Sequence, residues 1–186
     1  MVTRGTARAG DAATVEVAAA TSTAAAHAAA AGTPDPELPQ VTIADLGILR
    51  SVEVTSEGVA VTITPTYSGC PAIREIGTDL RRRLARAGFG DVTIRTQLAP
   101  AWSSDWITAQ GRRKLADAGI APPGPAPQRG GPVPLTLHTA GRRPELRCPR
   151  CGSAETRLIA EFSATACKSL HRCEACLEPF EAVKPL

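Results

Sequence analysis

The residues best equipped for chemistry in this chain are its six cysteines. Four form two pairs, Cys148-Pro149-Arg150-Cys151 and Cys173-Glu174-Ala175-Cys176, with 21 residues between the pairs. A Cys-x-x-Cys turn aims two sulfurs at one point, and two such turns supply the four thiolates of a tetrahedral zinc site. Gly152 lets the first turn fold under the metal, whereas the second turn has Leu177 where glycine often stands. A redox or iron–sulfur centre is the alternative for such pairs. Cys167 lies nearby, inside Ser163-Ala164-Thr165-Ala166-Cys167-Lys168-Ser169-Leu170. It reads either as a buried thiol beside the metal or as a reactive thiol whose pKa Lys168 lowers. His171 is a spare ligand, but four cysteines already satisfy the metal.

Cys70 stands apart from these, directly before Pro71 and a predicted helix. Unpaired backbone N–H groups and the helix dipole favour an anion at such a place. The thiol is therefore expected to ionise readily and to act as a metal ligand or nucleophile, or else to be a half-buried cysteine in a turn. Asp45 and Glu37 are acids near turns, suited to backbone capping or to metal contact. An enzyme using Cys70 as nucleophile would need a base, and His27, His138 and His171 all lie outside its part of the chain.

The elements that must position these groups follow from periodicity. Val59, Val61 and Ile63 share one strand face, Ser51–Val54 is its partner, and Thr55-Ser56-Glu57-Gly58 is the turn between them. Ile73, Ile76, Leu80, Leu84 and Ala87 recur at helical spacing, with Gly88 as the stop. Val92, Ile94, Thr96 and Leu98 alternate as a third strand. A loop with Trp102 and Trp106 leads to a short helix near 108–118. The two tryptophans, four apart, predict a shared helical face for core packing, domain docking or partner binding. Residues 35–121 are thus a small α+β unit, a sheet with helices on one side. The Pro/Gly-rich segment 122–144 is a linker. Residues 145–186 are a second unit, a zinc ribbon, too short to fold without metal or disulfide help. Its expected strands are Thr156–Phe162 and Glu178–Val183. Residues 1–34 are rich in Ala and Thr without Leu, Ile or Phe, so a disordered tail is expected there.

Aromatics make up only 3% of the chain, so one large core spread over 186 residues is not expected. No apolar run nears the ~18 residues that span a bilayer. The N-terminus lacks the basic start, Leu-rich centre and cleavage site of a secretory signal. A cytoplasmic protein is expected, and its cysteines are read as metal ligands or thiols rather than disulfides.

The order of motifs resembles the PaaD family, accessory proteins of the phenylacetyl-CoA ring-epoxidase of bacterial phenylacetate catabolism. The resemblance rests on Pro-Glu-Leu-Pro (36–39), Ile-Ala-Asp-Leu-Gly-Ile-Leu (43–49), Thr-Pro-Thr-Tyr-Ser-Gly-Cys-Pro (64–71), Pro-Ala-Trp-Ser-Ser-Asp-Trp-Ile (100–107) and the Cys167 run before the last Cys-x-x-Cys. It spans about 35–121 and 146–186. It implies an iron–sulfur assembly domain like that of SufT-like proteins, followed by the ribbon. It also implies that Thr66 and Cys70 match the family's Thr-x-x-x-Cys-Pro motif, and Asp45 its Asp-Leu-Gly acid. The implied function is non-catalytic maturation of iron–sulfur or di-iron centres. The epoxidase oxygenase or reductase subunits would be the clients.

In that reading Cys70 binds iron or a nascent cluster transiently, with Asp45 beside it. A homodimer, a client cysteine or Cys167 completes the ligand set. The rival from the residues is a zinc-ribbon module for nucleic-acid binding or protein docking. Between residues 112 and 150 eight basic residues stand against two acidic ones, a local net charge of +6.

Overall fold

The chain, as a computed structural model, is described over residues 22–127 and 146–186. The expectations for residues 1–21 and for the linker over 128–144, with His138, lie outside these described residues.

The alanine-rich segment departs from its expectation. Residues 22–31 form helix α1, and Ala26 and Ala30 are fully buried in the main core. Alanine has the highest helix propensity, and its small side chain lets a helix sit close to its neighbours. A stripe of two methyl groups at i and i+4 suffices here, although it carries no signal in a search for large apolar residues. After α1 the chain folds back on itself. Ile43 N–H donates to the Thr33 carbonyl at 2.9 Å, and Asp35 N–H to that of Val41 at 3.0 Å.

Strands β1 (Leu49–Thr55) and β2 (Gly58–Ile63) form the expected hairpin, with Val52 opposite Val61. Helix α2 (Ala72–Arg86) carries the chain across to β3 (Val92–Thr96), which joins β2 in parallel. The apolar stripe of α2 buries Ile76, Leu80 and Leu84 against the sheet, whereas Ala87 at its C-cap is exposed. Each of those three side chains contributes on the order of 1.5–3 kcal/mol by leaving water. Strand β3 ends before Leu98, which is 57% exposed.

The tryptophans stand on a loop and a short 3₁₀ turn (Ser104–Trp106), not on one helical face. Trp102 is buried and its indole N–H donates to the Leu46 carbonyl at 2.9 Å. Trp106 lies under the Arg50 guanidinium, 3.8 Å from the ring centre. A Cβ on Gly47 would stand 2.6 Å from the Trp106 Cβ, and its φ is +68°, so only glycine fits this bend. Helix α3 (Ala109–Asp117) follows, capped by the Thr108 hydroxyl accepting from Gly111 N–H at 2.9 Å.

The ribbon has three strands, β5 (Thr156–Ala160), β6 (Lys168–Cys173) and β7 (Pro179–Val183), where the sequence suggested two. A fourth neighbour comes from outside it. Strand β4 (Ile120–Ala121), at the end of the first unit, pairs in parallel with β7, giving the order β4-β7-β6-β5. The C-terminus adds a second tie, because Leu186 and Ser104 exchange backbone and hydroxyl hydrogen bonds of 3.0–3.4 Å. Val183 belongs to the main core, and Leu186 packs on it. The beginning of the expected linker is also held, since Arg112 donates to the Pro123 carbonyl at 2.6 Å and Asp105 accepts from Ala126 N–H at 3.0 Å. The ribbon is therefore seated on the first unit. Among the described residues no helix is long and apolar enough to cross a membrane.

Candidate functional site

The knuckles preceding β5 and following β6 bring Cys148, Cys151, Cys173 and Cys176 together, with all four sulfurs within 4.8 Å of one another. Cys148 and Cys176 stand 3.8 Å apart, and Cys151 and Cys173 3.5 Å. Tetrahedral zinc with bonds near 2.3 Å requires about 3.8 Å between sulfurs, so the set fits a structural Zn²⁺. Gly152 takes φ +75° in the first knuckle, and Leu177 adopts nearly the same φ, +65°, in the second. The leucine thus keeps the regular knuckle turn by accepting a left-handed backbone. The Cys173 thiol is lowered to about 7, chiefly by the Cys176 N–H. Against the Ser153 N–H, contact with the other sulfurs pushes Cys151 up to about 12. Thiols crowded in this way ionise together only when a cation shares their charge. His171 is not part of the cage. It stacks on Phe180, with ring centres 5.7 Å apart, and meets the Ser169 hydroxyl at 2.9 Å.

A second group gathers where ribbon and first unit meet. Cys70, Thr66, Asp35, Glu37 and Cys167 all line one small cavity of about 20 Å³, walled by Leu46, Ile48, Ile73, Trp102, Val183 and Leu186. Cys70 arrives on the loop after β2, one residue before the Pro71 N-cap of α2. Cys167 arrives on the turn leading into β6, with its sulfur 4.0 Å from the Glu37 carboxylate and 3.2 Å from the Thr165 hydroxyl. Glu37 is aimed by the turn that Asp35 builds. One Asp35 oxygen accepts from both Glu37 N–H and Leu38 N–H at 2.9 Å.

Burial dominates the acid–base behaviour of this cavity. It pushes Cys70 up, against the Ala72 N–H that favours the thiolate, and the Glu37 charge adds to the rise. The readily ionised Cys70 expected from the helix start is therefore corrected: desolvation outweighs the helix terminus. Burial likewise raises Cys167, Asp35 and Glu37. Lys168 lowers Cys167 as expected, but burial outweighs it; its ammonium bonds Glu181 at 2.6 Å, and Ser163 also bonds that carboxylate.

Asp45 is also corrected. It does not line this cavity. Its carboxylate accepts from Thr42 N–H at 3.0 Å, from the Thr42 hydroxyl at 3.1 Å and from the Lys114 ammonium at 2.6 Å. Desolvation opposes its ionisation, but Lys114 and Thr42 prevail and hold the carboxyl below its ordinary value. Asp45 thus ties the turn before β1 to α3. Asp35 is the residue that the sequence reading missed, although Pro34-Asp35-Pro36-Glu37 carries the turn signal. Part of the basic stretch is committed internally too: Lys114 to Asp45, and Arg112 to the Ser104 and Pro123 carbonyls. The described residues lining the Cys70 cavity include no histidine.

Two family models match along the chain. Residues 23–95 match the family described as "Iron-sulfur cluster assembly protein", and residues 133–184 match "PaaD zinc beta ribbon domain". The chain is 45% identical over 151 residues to an Escherichia coli protein named as a 1,2-phenylacetyl-CoA epoxidase subunit, covering 81% of this chain and 86% of that one. A crystal structure of a domain of unknown function from Bacillus anthracis shares the fold of part of this chain. Its TM-score is 0.50 at 22% identity, over 54% of this chain and 96% of that one. A Mycobacterium tuberculosis solution structure, of a protein associated with iron–sulfur complex assembly and repair, aligns at TM-score 0.30 and 32% identity, over 52% of this chain and 84% of that one.

Proposed function

Since the chain belongs to the PaaD family and carries an iron–sulfur assembly domain with a zinc ribbon, we propose that it matures the metal centres of the phenylacetyl-CoA epoxidase, the complex for which its Escherichia coli relative is named. Its clients in this reading are the di-iron oxygenase subunit or the iron–sulfur reductase subunit. It acts as a non-catalytic assembly factor in the cytoplasm, where thiols stay reduced. The observation that supports the reading most is the shared cavity, in which Cys70 of the assembly fold and Cys167 of the ribbon face the same carboxylates.

Each module has a distinct part. Zinc is redox-silent and cross-links the two knuckles, supplying folding energy to a segment of about 40 residues. The sheet it stabilises holds β6, whose leading turn presents Cys167. Thr66 and the Ala72 N–H contact the Cys70 thiol and orient its sulfur into the cavity. The apolar walls exclude water from a bound, oxidisable iron cargo. Because both thiols are held neutral by burial, capture of a cation is accompanied by proton release.

The test is made in cells that depend on the epoxidase. Cys70→Ala should abolish epoxidase activity and lower the iron content of the purified client, with client protein level unchanged. Full activity and iron content in that variant would refute the role of Cys70. The nucleic-acid alternative predicts instead salt-sensitive binding to duplex or single strands, which filter binding would reveal.

A further inference from the structure

We infer that β3, a free edge of the first sheet, takes up an extended acidic segment of a partner protein as an added strand, with Arg81 and Arg95 receiving its carboxylates on either face. The inference goes beyond the maturation reading and stands without it.

An exposed strand edge is a template for pairing, and proteins blunt such edges by shortness, bulges or cover. Among the described residues the two sheets have four edges. Strand β4 is two residues long. Strands β1 and β5 break register, between Leu49 and Ser51 and between Leu158 and Ala160. Strand β3 pairs with β2 over all five of its residues without a shift. Val59 N–H donates to the Asp91 carbonyl at 2.7 Å, and Gln97 N–H to that of Ile63 at 2.9 Å, so the odd-numbered residues of this segment turn their backbone toward β2. Val92, Ile94 and Thr96 therefore turn theirs outward. Among the described residues nothing bonds those outward groups. Four of the five residues of β3 are β-branched, which keeps the edge extended.

Charge names the partner. Over 72–96 six arginines stand against three acids, a net of +3. Arg81 lies on the β3 side of α2, since a Cβ on Gly77 would stand 3.7 Å from its guanidinium and 3.5 Å from Ile94 Cδ1. That guanidinium donates to the Gly77 carbonyl at 3.4 Å and meets no carboxylate among the described residues. Arg95 points to the opposite face from Ile94. It shares a hollow with Glu53, whose carboxylate accepts instead from the Ser51 hydroxyl at 3.3 Å. An incoming strand thus meets, on each face, a guanidinium that lacks an acidic partner, and carboxylates match its paired donors. A second copy of this chain would set arginine against arginine. Nucleic acid fits less well, because neither α2 nor β3 carries an aromatic side chain for base stacking.

Position gives the edge a use. Thr96 pairs with Ile63, so β3 ends where the chain leaves β2 for the loop bearing Thr66 and Cys70. A segment added to β3 is held at that end of the sheet.

The experiment adds a fluorescent peptide rich in valine and glutamate, with glutamates on both faces of its extended form, to the full-length, zinc-loaded protein. Its lysine-for-glutamate counterpart is the control. The acidic peptide should bind by anisotropy, weaken with salt and slow amide exchange at Ile94 and Thr96. Arg81→Glu and Arg95→Glu should each weaken binding on the order of tenfold. Thr96→Pro removes an outward N–H, leaves the ladder to β2 intact and should weaken binding by a comparable factor. Unchanged zinc content and circular dichroism keep folding defects apart from lost docking. An acidic peptide that binds no better than the control overturns the inference. If the arginine variants lose binding while Thr96→Pro keeps it, strand addition is overturned. If single-stranded DNA displaces the peptide and protects the same amides, the protein partner is overturned. A dimer that Thr96→Pro dissociates would make a second copy the occupant and overturn it likewise.

Discussion

Replacing Asp45 by alanine separates a structural acid from a metal ligand. The Asp45 side chain is 7% exposed and accepts three hydrogen bonds, two from Thr42 and one from Lys114. The local bonds to Thr42 act as a cap, worth about 1 kcal/mol. The Lys114 ammonium is 34% exposed and rehydrates when its partner is lost, so that ion pair is discounted to about 0.5–1 kcal/mol. Leaving the Thr42 donors without their anionic acceptor adds about 1 kcal/mol. Asp45→Ala should therefore lower stability by roughly 2–3 kcal/mol in urea unfolding with zinc present, while Asp45→Asn loses only about half as much. The folded carboxyl is held below its ordinary value of 3.8. The charge-dependent part of its contribution is thus complete above about pH 4 and disappears as pH falls through the folded value, where wild type should approach Asp45→Asn rather than Asp45→Ala. A variant with wild-type stability in urea unfolding would refute the reasoning.

Other outcomes follow from the same geometry. Leu177→Gly relieves a left-handed leucine that is 58% exposed, and should stabilise the ribbon by about 1 kcal/mol, read as slower zinc loss to a chelator. Chelating the zinc should speed amide exchange across β5–β7 and also at Ile120 and Leu186, because β4 and the C-terminus are bound to the ribbon sheet; exchange in β1–β3 should change less. Burial raises both Cys70 and Cys167 above the ordinary value of 9, so alkylation of each should have a midpoint above pH 9 and run slower than a free thiol at pH 7.5; a midpoint below 8 for Cys70 would restore the helix-terminus argument.

Much of this protein was legible locally. The 2.0 and 3.6 periodicities of β2 and α2 and the two Cys-x-x-Cys turns are short-range patterns, and each appears where expected. A strand face or a metal knuckle is decided by residues within a few positions of one another, so the sequence by itself determines it. Helix α1 was hidden because Ala26 and Ala30 bury well without registering as apolar bulk. The acid–base state of Cys70 was hidden for another reason. The helix terminus is written in the sequence, but the desolvation that overrides it comes from Trp102, Val183 and Leu186, which arrive from distant parts of the chain. The presence of Cys70, Cys167 and Glu37, and not Asp45, at one cavity likewise depends on β4 pairing with β7 and on Leu186 returning to Ser104. Those contacts join residues some 60 to 80 positions apart, and only the packed tertiary structure decides them.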